Sequence, residues 1–396
     1  MSAVLGNDDL LGEILLRLGL PTTLVRAAAV STRWLRLASD RAFLRRFRRL
    51  HPPRLLGFYH TSRERYEDEL PIFIPLPQPP ELDVALRRAV FLLPGAAASS
   101  SPDNPVILDC RNGRILAAEF PREGPRARIF SPMHPAREPP VLPLIHELPR
   151  QPGQILFASC ILLPEEDGGD DLSYTLVEFL RRDQEIFAKA ISVKAGVLDV
   201  NVRESPSMGI QECTIRNTRR TSLFNGNVYL LGEKEHILGL NLASMRLFLI
   251  KFPDGVEQLD KVGNIELLRA DDSGLYLLHL KGFQLHVWLY TSDSDTDIGG
   301  TWELVDTICL RQSFGQVAEP NWESGDALVA LHRVEDNVEV FLRVDLVFFH
   351  IHIMNRTVKK VFEISPKAYK YFDIFPVMML WPPTFPQLTY DHDQGE

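Results

Sequence analysis

Apolar residues recur with helical spacing in the first fifty positions and with strand spacing after them. Leu10, Leu11, Ile14, Leu15 and Leu18 advance by one or three, with alternate members four apart, which places them on one stripe of a 3.6-residue helix. Asn7, Asp8 or Asp9 can cap its start, and Gly19 reads as its C-cap. Pro21 and Thr22 open a second helix carrying Leu24, Ala27, Ala28 and Val30. Ser31 can cap a third with Trp34, Leu37 and Ala38. Asp40 can cap a fourth, with Phe43, Leu44, Phe47 and Leu50 inward and Arg41, Arg45, Arg46, Arg48 and Arg49 outward, until Pro52-Pro53 stops it. A unit of this size has too little area to hide its own apolar residues without disulfides or metal. Some of them must be covered by the rest of the chain or by a partner.

From residue 54 onward, apolar runs of strand length alternate with turn signals about every ten residues, and no long helical period intervenes. The sharpest signal is Val106 to Ala118, two apolar runs joined by Asn112-Gly113, the favoured type I′ hairpin pair. Asn225-Gly226 repeats it before Val228 to Leu231. Further strands are expected at Ile155 to Leu163, as two strands within Tyr174 to Val193 and two within Ile237 to Phe252, and at Ile265 to Ala270, Leu275 to Leu280 and Phe283 to Tyr290. The series continues through Trp302 to Leu310, Ala327 to Val334, Val338 to Val344, Leu346 to Met354 and Thr357 to Ile364. Leu70 to Pro80 reads as extended, and Ser131 to Pro143 as connection. Leu238 to Met245 echoes His352 to Val358: an apolar strand reaches Asn, turns at Ser or Thr, and returns. That unit suits the outer hairpin of a propeller blade, and about 330 residues at ~40–50 per blade allow roughly six to eight blades. A sandwich or several small β-domains is the structural alternative.

Charge sharpens the division. Residues 1–54 hold ten Arg against four acids, a balance of +6, so the remainder carries −15 of the total −9. An acidic body argues against broad nucleic-acid binding. Cys110, Cys160, Cys213 and Cys309 are scattered with no C-x-x-C pair, as in a reduced cytosolic or nuclear protein. Neither a signal peptide nor a membrane span is expected; the nearest apolar candidate, Phe375 to Trp381, is short and bounded by prolines.

The helical segment resembles an F-box. That family shows acids before LL-x-E-I-L-x-R-L, a Pro-initiated second helix, Val-Cys-Lys-x-Trp, and a Ser-Asp-x-x-Phe close. Here stand Asp8-Asp9-Leu10-Leu11-Gly12-Glu13-Ile14-Leu15-Leu16-Arg17-Leu18, then Pro21, Val30-Ser31-Thr32-Arg33-Trp34 and Ser39-Asp40-Arg41-Ala42-Phe43. Leu5-Gly6-Asn7 replaces the usual Leu-Pro, and Ser31 the usual Cys. The later chain, at Leu50 to Phe58, Ile107 to Ile115, Ile237 to Met245 and Trp302 to Leu310, is similar to grass F-box proteins with a β-propeller-like associated region. The resemblance implies a multidomain α and β protein. Residues 1–50 would be a three- to four-helix F-box, 51–390 an antiparallel all-β, propeller-like recognition region, and 391–396 a disordered tail. It further implies the substrate-recognition subunit of an SCF-type cullin–RING E3 ubiquitin ligase. A Skp-type adaptor would sit on Leu10, Leu11, Ile14, Leu15, Pro21, Leu24, Val30 and Trp34, and the β-region would hold an unknown target protein. No nucleic acid, membrane, metal or cofactor is expected, and no enzymatic role.

Catalytic signatures are missing: no Gly-rich phosphate loop, no G-x-S-x-G elbow and no H-E-x-x-H. His350 and His352 share a strand face without a third ligand at recognisable spacing, and His279 and His286 read as single structural histidines. Glu165 to Asp171 lacks the ligand spacing of an EF-hand, and the acids at Asp271-Asp272 and Asp293/Asp295/Asp297 read as solvated turns. Two rivals remain at this point. A β-propeller enzyme with a helical cap requires convergent His and acids; a helical DNA-binding module requires steeply salt-dependent DNA binding through the arginines.

Overall fold

The computed structural model describes residues 6–62, 71–89, 91, 93, 105–119, 126–133, 141–143, 156–164, 173–182, 184–194, 197–209, 221–232, 235–257, 263–270, 274–292, 300–314, 329–334, 339–364 and 372–385. Four helices open the chain: α1 (Asp8–Leu15), α2 (Pro21–Ala28), α3 (Thr32–Ala38) and α4 (Arg41–Leu50). Their starts follow local chemistry. Asn7 Oδ1 accepts from Asp9 and Leu10 N–H, Ser31 Oγ from Trp34 N–H, and Asp40 Oδ1 from Phe43 N–H. Pro21 occupies the first turn of α2, where its missing N–H costs nothing. Two details differ from the periodic reading. α1 ends at Leu15 with its cap at Leu16, so Leu18 and Gly19 lie in the connection rather than closing the helix. Leu50 is 57% exposed rather than inward, and Phe47 is the buried residue of α4.

The described strands form six antiparallel sheets, the blades of a six-bladed β-propeller. Blade 1 holds β1 (Leu55–Ser62) and β2 (Ile72–Pro75), followed in the chain by a short helix, α5 (Pro80–Leu86). Blade 2 is β3 (Val106–Arg111), β4 (Arg114–Glu119), β5 (Arg126–Phe130) and β6 (Val141–Pro143). Blade 3 is β7 (Leu156–Pro164), β8 (Tyr174–Arg182), β9 (Glu185–Lys194) and β10 (Val197–Glu204), with β11 (Met208–Gly209) also on β9. Blade 4 is β12 (Thr221–Phe224), β13 (Asn227–Leu231), β14 (His236–Asn241) and β15 (Arg246–Lys251). Blade 5 is β16 (Ile265–Ala270), β17 (Gly274–Lys281), β18 (Gln284–Ser292) and β19 (Gly300–Cys309), followed by α6 (Leu310–Phe314). Blade 6 is β20 (Val329–Arg333), β21 (Glu339–Val344), β22 (Val347–His352) and β23 (Thr357–Glu363). The last strand, β24 (Phe372–Met378), returns to blade 1 and pairs with β1 from Leu55↔Met378 to Ser62↔Phe372. The ring is thus closed by strands from opposite ends of the chain.

Why so many strands read as unbroken apolar runs follows from this ring. Each blade is covered on both faces, so successive residues enter opposite seams. Leu267 and Leu277 pack toward blade 4, while Leu268 and Leu278 pack toward blade 6. Six apolar clusters occupy the six seams, from Tyr59, Ile107 and Phe375 between blades 1 and 2 around to Phe58, Phe341 and Phe348 between blades 6 and 1. A two-sheet sandwich would give one shared core, so that alternative falls.

Asn112 and Gly113 have φ of 49° and 68°, and Asn225 and Gly226 have 48° and 71°, as type I′ turns require. The echo between residues 238–245 and 352–358 does mark outer hairpins, β14–β15 and β22–β23. Its phase is off by three: His352, not Asn355, stands where Asn241 stands. Each ends its strand and accepts a backbone N–H three residues on, Asn241 from Ser244 and His352 from Asn355. Val141–Pro143 is a strand rather than connection, and Pro80 starts a helix. Glu165 to Asp171, Asp271-Asp272, Asp293/Asp295/Asp297, Cys213 and the 391–396 tail lie outside the described residues.

Candidate functional site

The eight candidate interface residues divide into two sets. Leu11, Leu15, Pro21 and Leu24 are buried. Leu11, Leu15 and Leu24 form the helical core with Leu16, Ala28, Ala38 and Phe47. Leu10, Ile14 and Val30 are 47%, 37% and 66% exposed. Trp34 lies between the two sets, partly buried against that core. The reason is rotational. Leu10 and Ile14 are one turn apart on α1, and Leu11 and Leu15 are the same pair turned by about 100°, into the bundle.

Two exposed ion pairs bridge α1 to α3 and α4. Arg33 Nε donates to Asp8 Oδ1 at 2.6 Å, and Arg46 Nη1 to Glu13 Oε1 at 2.6 Å. The remaining arginines of α4 form an exposed outer face of Arg41, Arg45, Arg48 and Arg49, as their spacing predicts. Behind the bundle, His51 Nε2 lies 2.7 Å from Leu16 O.

One residue of this unit is invisible to local pattern. Trp381, just past β24, is buried in the helical core with its ring stacked on Phe47 at 5.9 Å and 9°. Only its isolation beyond the last strand, in a short run interrupted by proline, could have marked it out.

Elsewhere, the described titratable groups occur in small sets, such as Asp109, Arg111, Cys160 and Glu178 in blades 2 and 3. Glu178 is buried between Cys160 and Lys189 in the register of blade 3. Burial raises its pKa to about 7, against the pull of Lys189. His279 and His286 face each other across β17 and β18 with ring centroids 5.9 Å apart. Burial lowers the His279 pKa, and His286 and Lys281 add to the effect against Glu257. His350 Nε2 lies 3.3 Å from Glu339 Oε2. Among the described residues, no three His, Cys, Asp or Glu are grouped to hold a metal, and no helix is long and apolar enough to cross a membrane.

Residues 106–385 match the family model described as F-box protein AT5G49610-like, beta-propeller. No curated protein sequence matches the chain. Solved structures share low identity. Raptor of Chaetomium thermophilum is 12% identical with a TM-score of 0.35, over 65% of this chain and 20% of that one. The extracellular domain of the putative one component system BT4673 of B. thetaiotaomicron is 10% identical with a TM-score of 0.30, over 65% and 28%. YCF48 of Cyanidioschyzon merolae is 10% identical with a TM-score of 0.36, over 65% and 70%. The chain thus spans less than a third of the first two, and likenesses this distant carry no functional weight.

Proposed function

Because the chain belongs to the F-box protein AT5G49610-like β-propeller family, we propose that it is a non-catalytic substrate receptor of an SCF-type cullin–RING ubiquitin ligase. In this reading α1–α4 are the F-box and take a Skp-type adaptor on Leu10, Ile14 and Val30, with Trp34 at the margin. Leu11, Leu15, Pro21 and Leu24 shape that surface from beneath. The observation that carries the reading is the exposed apolar set on a unit that buries its neighbouring leucines. Burying the part of each side chain still exposed contributes about half of the ~1.5–3 kcal/mol of full burial, before association costs are subtracted.

The target protein is assigned to the end of the propeller remote from the helices. The helical unit contacts the end bearing the Asn112-Gly113 turn, through Trp381. The receptor then acts by proximity, holding the target beside the ubiquitin donor of the assembly. Cys110 and Cys160 are buried as thiols, which accords with a cytoplasmic or nuclear setting.

The test is co-purification with a Skp-type adaptor, comparing the intact chain with a Leu10→Asp/Ile14→Asp variant whose circular dichroism matches it. Both positions are exposed, so the variant removes the surface without opening the core. A charge at Leu15 would disrupt the helical core, so lost capture there would not report on the interface. Capture of the intact chain alone supports the receptor; no capture of either overturns it.

A further inference from the structure

We propose that residues 379–385 are a strap that completes the helical core only once the propeller ring has closed, joining the two into one rigid body. The helical unit comprises the first fifty residues, yet its core includes Trp381, whose ring stacks on Phe47, and Phe385 packs beside it. A bundle this small depends on such a contribution, because its own helices bury little area.

The strap is tied to the propeller at a turn 269 positions away in sequence. The Asn112 side chain takes both backbone groups of Trp381: Nδ2 donates to Trp381 O at 2.6 Å, and Oδ1 accepts from Trp381 N–H at 2.8 Å. Gly113, at φ +68°, lets the strap pass close. A Cβ there would sit 2.9 Å from both Leu380 N and Met378 O. Met379 N–H donates to Arg54 O at 2.8 Å, binding the strap to the segment that leaves α4.

The strap follows β24 directly, and β24 is placed by its pairing with β1. Trp381 therefore reaches Phe47 in register only in a closed ring. Residues 51–54 make one attachment between helices and propeller, and the strap makes a second, which fixes the orientation of the helical unit. It also makes the last-made strand a condition for a complete helical core. Resting on the receptor reading above, this would confine adaptor recruitment to chains whose propeller is finished.

Hydrogen exchange on the full-length chain tests the strap without any adaptor, so its outcome is independent of that reading. Two variants are compared with the parent. Trp381→Ala removes the inserted ring. Asn112→Gly keeps the positive φ at ease, deletes both side-chain bonds and touches no helix. Exchange over residues 8–50 is expected to accelerate about tenfold in Asn112→Gly, the equivalent of losing two ordinary hydrogen bonds, and further in Trp381→Ala. Peptides from blade 3 should be unchanged. Parental exchange over 8–50 in either variant overturns the proposal, as does an acceleration in Asn112→Gly confined to residues 106–119. If Trp381→Ala fails to fold, Asn112→Gly alone decides.

Discussion

Leu10 and Leu11 are neighbours in sequence and opposites in the fold, and the difference has measurable consequences. Leu11→Ala or Leu15→Ala opens a cavity in a bundle with few other contacts and should cost about 2–5 kcal/mol of its stability. Leu10→Ala or Val30→Ala removes an exposed side chain and should stay within about 0.5 kcal/mol. Denaturant melts followed at Trp34 and Trp381 distinguish the two sets. The leucine stripe was legible as helix, but one helical period serves core and interface alike, so its division was not. Glu178 makes a second residue-scale prediction. Its pKa is raised by burial from 4.5 to about 7, so the folded state holds the proton more tightly than the unfolded one. The resulting stability is fully present below about pH 4.5 and is lost as pH rises through about 7. Glu178→Gln should flatten that slope, on the order of 3 kcal/mol in all, in melts taken from pH 4.5 to 8.

At the scale of elements, local chemistry was most legible where backbone geometry demands particular residues. Both Asn-Gly pairs occupy type I′ turns, yet their surroundings differ. Gly226→Ala meets open space and loses only the ease of positive φ, about 1 kcal/mol. Gly113→Ala must also displace the strap backbone, so its cost should exceed that of Gly226→Ala by about 1–3 kcal/mol in parallel thermal melts. The outer-hairpin echo was legible in kind but misphased, because a histidine ring nitrogen replaces the asparagine oxygen as the turn acceptor. β6 and α5 were missed in proline-rich stretches, where Pro143 ends a strand and Pro80 begins a helix, positions that proline tolerates. β24 was missed because a short run holding Pro376 reads poorly as a strand. It fits because β24 pairs with β1 on one side alone, leaving that proline at an edge.

At the scale of the whole molecule, what could be read was strand succession, and what could not was closure. Nothing local in Leu55–Ser62 announces a partner more than three hundred residues away. The seam beside that closure packs Phe58 against Phe341 at 5.0 Å, with Phe348 and Phe362 within 6.3 Å. Phe58→Ala should cost about 3–5 kcal/mol, and β1, β24 and blade 6 should be first to lose exchange protection. In the proposed receptor reading, a closed ring with the helical unit tied to it would present one surface to an adaptor and another to a target. The most direct test is the hydrogen-exchange footprint of a Skp-type adaptor on the full-length chain. The account predicts slowed exchange over α1 and over residues 28–35, with the six blades unchanged. Adaptor-dependent protection on the blades alone, or none anywhere at saturating adaptor, would contradict it.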